Sequence, residues 1–156
     1  MPPHAIAGHL TVIVAPLTAI LALVYALRPS ARAGLRWPLV GVGALTAALA
    51  VWAEQVGLLL WEQLKEAARA GGQQLPAAVQ QHAKGSDALA VAIFALGVVV
   101  LSLVWTVLRP GRPSSAGSRW AAALLVVTAV AVLVTTGTVL AQAMHAVWST
   151  QGLWSA

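Results

Sequence analysis

Four histidines, at positions 4, 9, 82 and 145, and one carboxylate set inside an apolar run, Glu54, are the side chains best equipped for chemistry in this chain. Imidazole changes charge near neutrality and ligates metals and haem iron through a ring nitrogen. His4 stands near the chain start and reads as a frayed terminal side chain. His9 lies about a turn inside the first apolar run, where an unpaired imidazole is costly. His82 belongs to the segment QQHAKGSD, and His145 lies toward the end of the last apolar run. That run also carries Thr128, Ala131, Thr135, Thr138 and Gln142 at steps of three or four, the spacing of one helix face. The pattern predicts a polar stripe facing other helices or an internal cavity, with His145 at its far end. A buried Glu54 has to be paired or hydrogen-bonded. Its candidate tasks are a proton relay, a quinol contact or a hydrogen bond to a ligating histidine. Asp87 reads as an acid in the first turn of a third helix, favoured there by the helix dipole.

The elements that must position these groups follow from composition. The chain has 156 residues, 60% of them hydrophobic and 8% charged, with a mean hydropathy of +0.84, which is the balance of an integral membrane protein. Apolar spans are expected at about 5–27, 38–61, 88–108 and 120–148, each long enough to cross a hydrocarbon core of about 30 Å. The fold class is therefore all-α: a single domain of four transmembrane helices in an antiparallel up-down bundle. Two tight turns, LRPSARAGLRW at 27–37 and LRPGRPSSAGSRW at 108–120, carry Arg28, Arg32, Arg36, Arg109, Arg112 and Arg119 and no acid. By the positive-inside rule they lie in the cytoplasm, so both termini and the connection at 62–87 lie outside. Within that connection, 62–70 and 76–83 read as helical pieces broken at Gly71-Gly72. The tryptophans at span ends, Trp37, Trp61, Trp120 and Trp148, with Trp154 in the tail, mark membrane interfaces, and Pro16 is expected to kink the first helix.

With no cysteine, the chain has no disulfide, thiolate metal site, iron–sulfur ligation or covalent haem attachment of its own. The net charge of +5 comes from a few arginines in short connections and is not a nucleic-acid footprint. No nucleophile and base pair marks a hydrolase. This topology puts all four histidines near the outer face, where His9, His82 and His145 are candidates to converge on one ligand. Two imidazoles from different helices of a bundle suit a b-type haem, for which small-residue faces are available at Gly8, Ala15, Ala19, Ala22 and Ala26, and at Gly43, Ala47, Ala50, Glu54 and Gly57. Plain close helix packing accounts for such faces equally well. A copper or zinc site on His9, His82 and His145 is an alternative, as is a bundle with no cofactor.

His9 followed by Pro16, Glu54 late in the second span, His82 before the third and His145 closing the fourth together resemble the bacterial membrane proteins of domain-of-unknown-function family 2231. The resemblance implies four spans, redox work and haem binding, with an iron–sulfur protein as a separate partner chain. The family signature carries further histidines and a proline where this chain has Ile6, Leu10 and Val14, so the ligand set is thinner here. The expected function is a small b-type cytochrome or redox-accessory protein of the cell membrane. It would hold haem between two of His9, His82 and His145, with Glu54 nearby, and pass electrons between quinol or a membrane complex and an external carrier. The competing reading is a cofactor-free accessory subunit of a larger respiratory or redox membrane complex.

Overall fold

The computed structural model describes residues 3–113 and 115–151, with side chains up to residue 145. Trp154 and the side chain of Trp148 lie outside this set. Four long helices account for nearly all of it: α1 (Pro3–Leu27), α2 (Arg32–Ala70), α3 (Ala77–Trp105) and α4 (Ala116–Gln151), with a 3-10 turn at Pro29–Ala31. All four are long and apolar enough to cross a membrane. Each packs against its neighbours in chain order and α4 closes onto α1, while α1 and α3 meet only sparsely across the middle. That is a four-helix bundle with up-down connectivity.

The helices overrun the apolar spans that the sequence marks. The segment 62–87 is not a separate lid, because α2 continues to Ala70 and α3 begins at Ala77, leaving only Gly71–Pro76 as connection. Residues 62–70 are strong helix formers, and a pair between Lys65 and Glu62 at 2.7 Å supports the extension. At 39 residues, α2 is about 58 Å long, well beyond an apolar core of about 30 Å. It stops where Gly72 takes a φ of 65°, a conformation cheap only for glycine, and Gln73 N–H donates to Ala68 O at 2.8 Å. Asp87 consequently lies well inside α3 and is not a first-turn acid. α1 runs on through Pro16. α4 starts with a reciprocal cap, in which Ser118 N–H donates to Ser115 Oγ at 3.1 Å and Ser115 N–H to Ser118 Oγ at 2.8 Å.

Small residues set the α1 interface. Ala15, Ala19 and Ala22 are fully buried and Ala26 nearly so, which lets α1 approach its neighbours closely. Midway along, the Thr18 and Thr46 hydroxyls lie 2.6 Å apart and join α1 to α2. On α4 the inward face is Leu125, Ala129, Val132, Thr136 and Val139. The stripe expected to face other helices or a cavity does so only in part: Ala131, Thr138 and His145 are exposed, Thr128 and Thr135 sit half-buried on the flank, and Gln142 packs against Gly85 of α3. The threonines need no neighbouring helix, because Thr128, Thr135 and Thr138 donate to carbonyls of their own helix at Leu124, Ala131 and Val134.

The two tight turns meet at one end of the bundle. There the buried Tyr25 hydroxyl donates to Leu108 O at 2.8 Å, tying the end of α1 to the segment after α3. Arg32 turns back and gives Nε–H to Tyr25 O at 3.1 Å and Nη2–H to Ala26 O at 3.2 Å, filling carbonyls that the end of α1 leaves open. Tyr25→Phe keeps the ring but orphans the Leu108 carbonyl. We expect it to lower stability by about 1–3 kcal/mol, read as a drop in the thermal midpoint of the detergent-solubilised protein.

Candidate functional site

At the opposite end the four helices surround a cavity of about 540 Å³, within the 300–1,000 Å³ or so typical of ligand and cofactor sites. Small residues from several helices make the room: Gly8 on α1, Ala50, Ala53 and Gly57 on α2, Ala83 and Ala90 on α3, and Ala143 on α4. Apolar side chains, among them Val12, Leu58, Leu64, Ile93 and Leu140, form much of the wall. The polar groups come from three elements: His4 and His9 from α1, Glu54 from α2, and His82, Lys84 and Asp87 from α3.

His4, read from sequence as a frayed end, is the best-seated of these. It is half-buried, and its Nδ1 is closed off from solvent without a hydrogen-bond partner. Its ring lies over Gly57, where an added Cβ would come within 3.3 Å of both Nδ1 and Cε1. His4 thus depends on a glycine of the second helix for its place. His82 is likewise half-buried with an unpartnered, solvent-shielded Nδ1. Two imidazoles from helices that barely touch one another therefore border one cavity, each with an unused ring nitrogen. Leaving such groups buried and unpaired is costly, so the arrangement calls for something that pairs with them. Glu54 is half-buried beside the same space, and no ion pair forms at it among the described residues.

The other two expected ligands are placed differently. His9 lines the rim but is exposed, and its Nδ1–H donates to Ala5 O at 2.5 Å, within its own helix. His145 is exposed on α4 and does not border the cavity. Helix geometry accounts for this: among the described residues, those of α4 that reach the cavity are Val139, Leu140 and Ala143, and His145 falls on a different face from Val139 and Ala143. Among the described residues no three His, Asp or Glu side chains form a group able to hold a metal ion. The three-histidine copper or zinc site on His9, His82 and His145 is therefore not assembled.

The sequence did carry a signal for His4. Counting in steps of three or four, it begins the line His4, Gly8, Thr11, Ala15, Ala19, Ala22 and Ala26, the small face that α1 presents to its neighbours. Near this end of the bundle the side chain of Gln142 on α4 packs directly on the buried Gly85 of α3. No protein-family model, curated protein or solved structure matches this chain.

Proposed function

We propose that this protein is a small redox-accessory protein of the cell membrane that binds a b-type haem in the cavity, where His4 of α1 and His82 of α3 would hold it. The observation that carries the reading is the pair of shielded, unpartnered imidazoles on opposite helices of one cavity. The donor set fits: two imidazoles and no thiolate suit a non-covalently held haem, and the glycine and alanine wall leaves space for a broad flat group. Bound there, the haem supplies one-electron transfer. The protein's own part is to hold both rings, to screen the site from water with the apolar wall, and to keep Glu54, a carboxylate able to take up one proton, beside the site. Relative to the sequence reading, the ligand set moves from His9 and His145 to His4, while His82 and Glu54 stay. Oxidised and dithionite-reduced visible spectra of the detergent-purified protein, expressed with haem supplied, test this. A Soret band that sharpens and shifts on reduction is expected, and its absence rules the reading out.

Membrane insertion is supported by the outer surface of the bundle, where large apolar side chains such as Ile13, Val98, Val127 and Val134 are each more than 60% exposed. We place the arginine-bearing turns in the cytoplasm and the cavity outside, since those turns carry six of the nine lysines and arginines. Because the chain lacks cysteine, single replacements report topology cleanly. Gln74→Cys is expected to react with a membrane-impermeant maleimide in intact cells, and Ser115→Cys only after lysis; the reverse pattern inverts the orientation.

A second reading, an accessory subunit of a larger membrane complex, is favoured by one feature. Beyond Val134 the outer face of α4 presents Gly137, Thr138, Ala141 and His145, small and polar side chains suited to another helix and poorly suited to lipid. Co-purification with a stoichiometric partner that is lost on Ala141→Leu would support it.

A further inference from the structure

The turn end of the bundle holds a second group of side chains that the cavity does not use. Arg36, in the first turns of α2, lays its guanidinium 3.6 Å above the centre of the Trp105 ring at the end of α3. Trp105 in turn meets Trp37 edge-on, with ring centres 5.2 Å apart. The three side chains join the starts and ends of different helices at one level. Each neighbouring arginine that makes hydrogen bonds spends them on the protein: Arg32 on Tyr25 O and Ala26 O, and Arg112 on Thr106 O at 2.7 Å. Arg36 makes none among the described residues, and its Nε is shielded from solvent without a partner. A guanidinium stacked on an indole is fixed in plane but keeps its edge donors, the fork that matches two oxygens of a phosphate. No acid stands in either turn segment to take them. Trp37 is 68% exposed beside it, an amphipathic ring at the level where headgroups meet acyl chains.

We propose that Arg36, Trp37 and Trp105 form a binding site for an anionic phospholipid, with the Arg36 guanidinium on the phosphate and the two indoles against the glycerol and upper acyl chain. This rests on the membrane placement above and is independent of the haem. Arg28, Arg109 and Arg112, all exposed around the same turns, add the general attraction to an anionic leaflet. Arg36 supplies the specific contact.

The test compares the wild-type protein with Arg36→Gln and with Arg28→Gln, which removes the same charge from the same turn. Each is delipidated, exposed to mixed phosphatidylglycerol and phosphatidylcholine, and examined by native mass spectrometry, with circular dichroism to verify equal helix content. The wild type is expected to retain one phosphatidylglycerol selectively, Arg36→Gln to weaken that retention about tenfold, and Arg28→Gln to keep it. Equal losses in the two variants would reduce the effect to bulk charge and overturn the site. Competition by millimolar inorganic phosphate would replace the lipid by a free anion and also overturn it. Wild-type retention in Arg36→Gln would do the same. Recovery of the protein in the soluble fraction would overturn the membrane placement itself, whereas a membrane-resident protein with no lipid selectivity would overturn only this proposal.

Discussion

His4→Ala and His82→Ala are each expected to abolish stoichiometric haem binding, while His145→Ala leaves the reduced spectrum unchanged. The asymmetry follows from placement. His4 and His82 border the cavity from α1 and α3 with shielded, unpartnered ring nitrogens, whereas His145 is exposed on α4 outside it. Either imidazole would hold the haem iron directly, so its loss is expected to exceed the roughly 10–100-fold effect usual for groups that only support a ligand. Neither replacement should unfold the bundle, because both side chains are half-buried at its end and the packed interior lies elsewhere, at Leu125, Val132, Val100 and Tyr25. His9→Ala should have an intermediate effect at most, since its Nδ1–H is already taken by Ala5 O. The measurement is haem per protein by pyridine haemochrome, paired with circular dichroism. Full haem content in His4→Ala would reject the ligand pair. Loss in His145→Ala with retention in His4→Ala would return the ligands to the set of His9, His82 and His145 expected from sequence.

Gly57→Leu is expected to empty the cavity of ligand without touching any histidine. An added Cβ at this position would lie only 3.3 Å from the His4 ring, so alanine needs the ring to yield by a few tenths of an ångström, and leucine has to displace it. Stability should move the other way in the alanine variant. Gly57 is inside α2, where alanine is favoured over glycine by about 0.8–1 kcal/mol, so Gly57→Ala should melt at or above the wild type while binding haem more weakly. Binding and stability changing in opposite directions is an outcome that general damage to the bundle does not produce. Thermal midpoints and haem content measured together for Gly57→Ala and Gly57→Leu decide it. Unaltered haem content in Gly57→Leu would show that the position of the His4 ring is irrelevant to binding.

Much of this architecture is legible in the chain itself. Four apolar runs, two acid-free arginine turns closed by prolines, and the Gly71-Gly72 break are local signals, because hydropathy and backbone preference act on consecutive residues. The small face of α1 could also be read from its spacing, and Ala15, Ala19, Ala22 and Ala26 are buried as that spacing requires. The positions of Glu54 and His82 beside a common space follow from the same reasoning. What the spacing could not decide was which of two competing faces of α4 turns inward. A threonine stripe carries no instruction to be buried, since each hydroxyl can bond a carbonyl of its own helix, and the larger apolar face of Leu125, Ala129, Val132 and Val139 took the interior. That choice moved His145 out. His4 moved in for the converse reason: it packs on Gly57 of α2 and shares its cavity with His82 of α3, neither of them near it in sequence. Sequence determined the helices and the small faces that let them approach, because these depend on neighbours along the chain. The tertiary structure alone decided which imidazoles share a cavity, because that depends on how each helix is rotated about its own axis, and rotation is set by packing against the other helices.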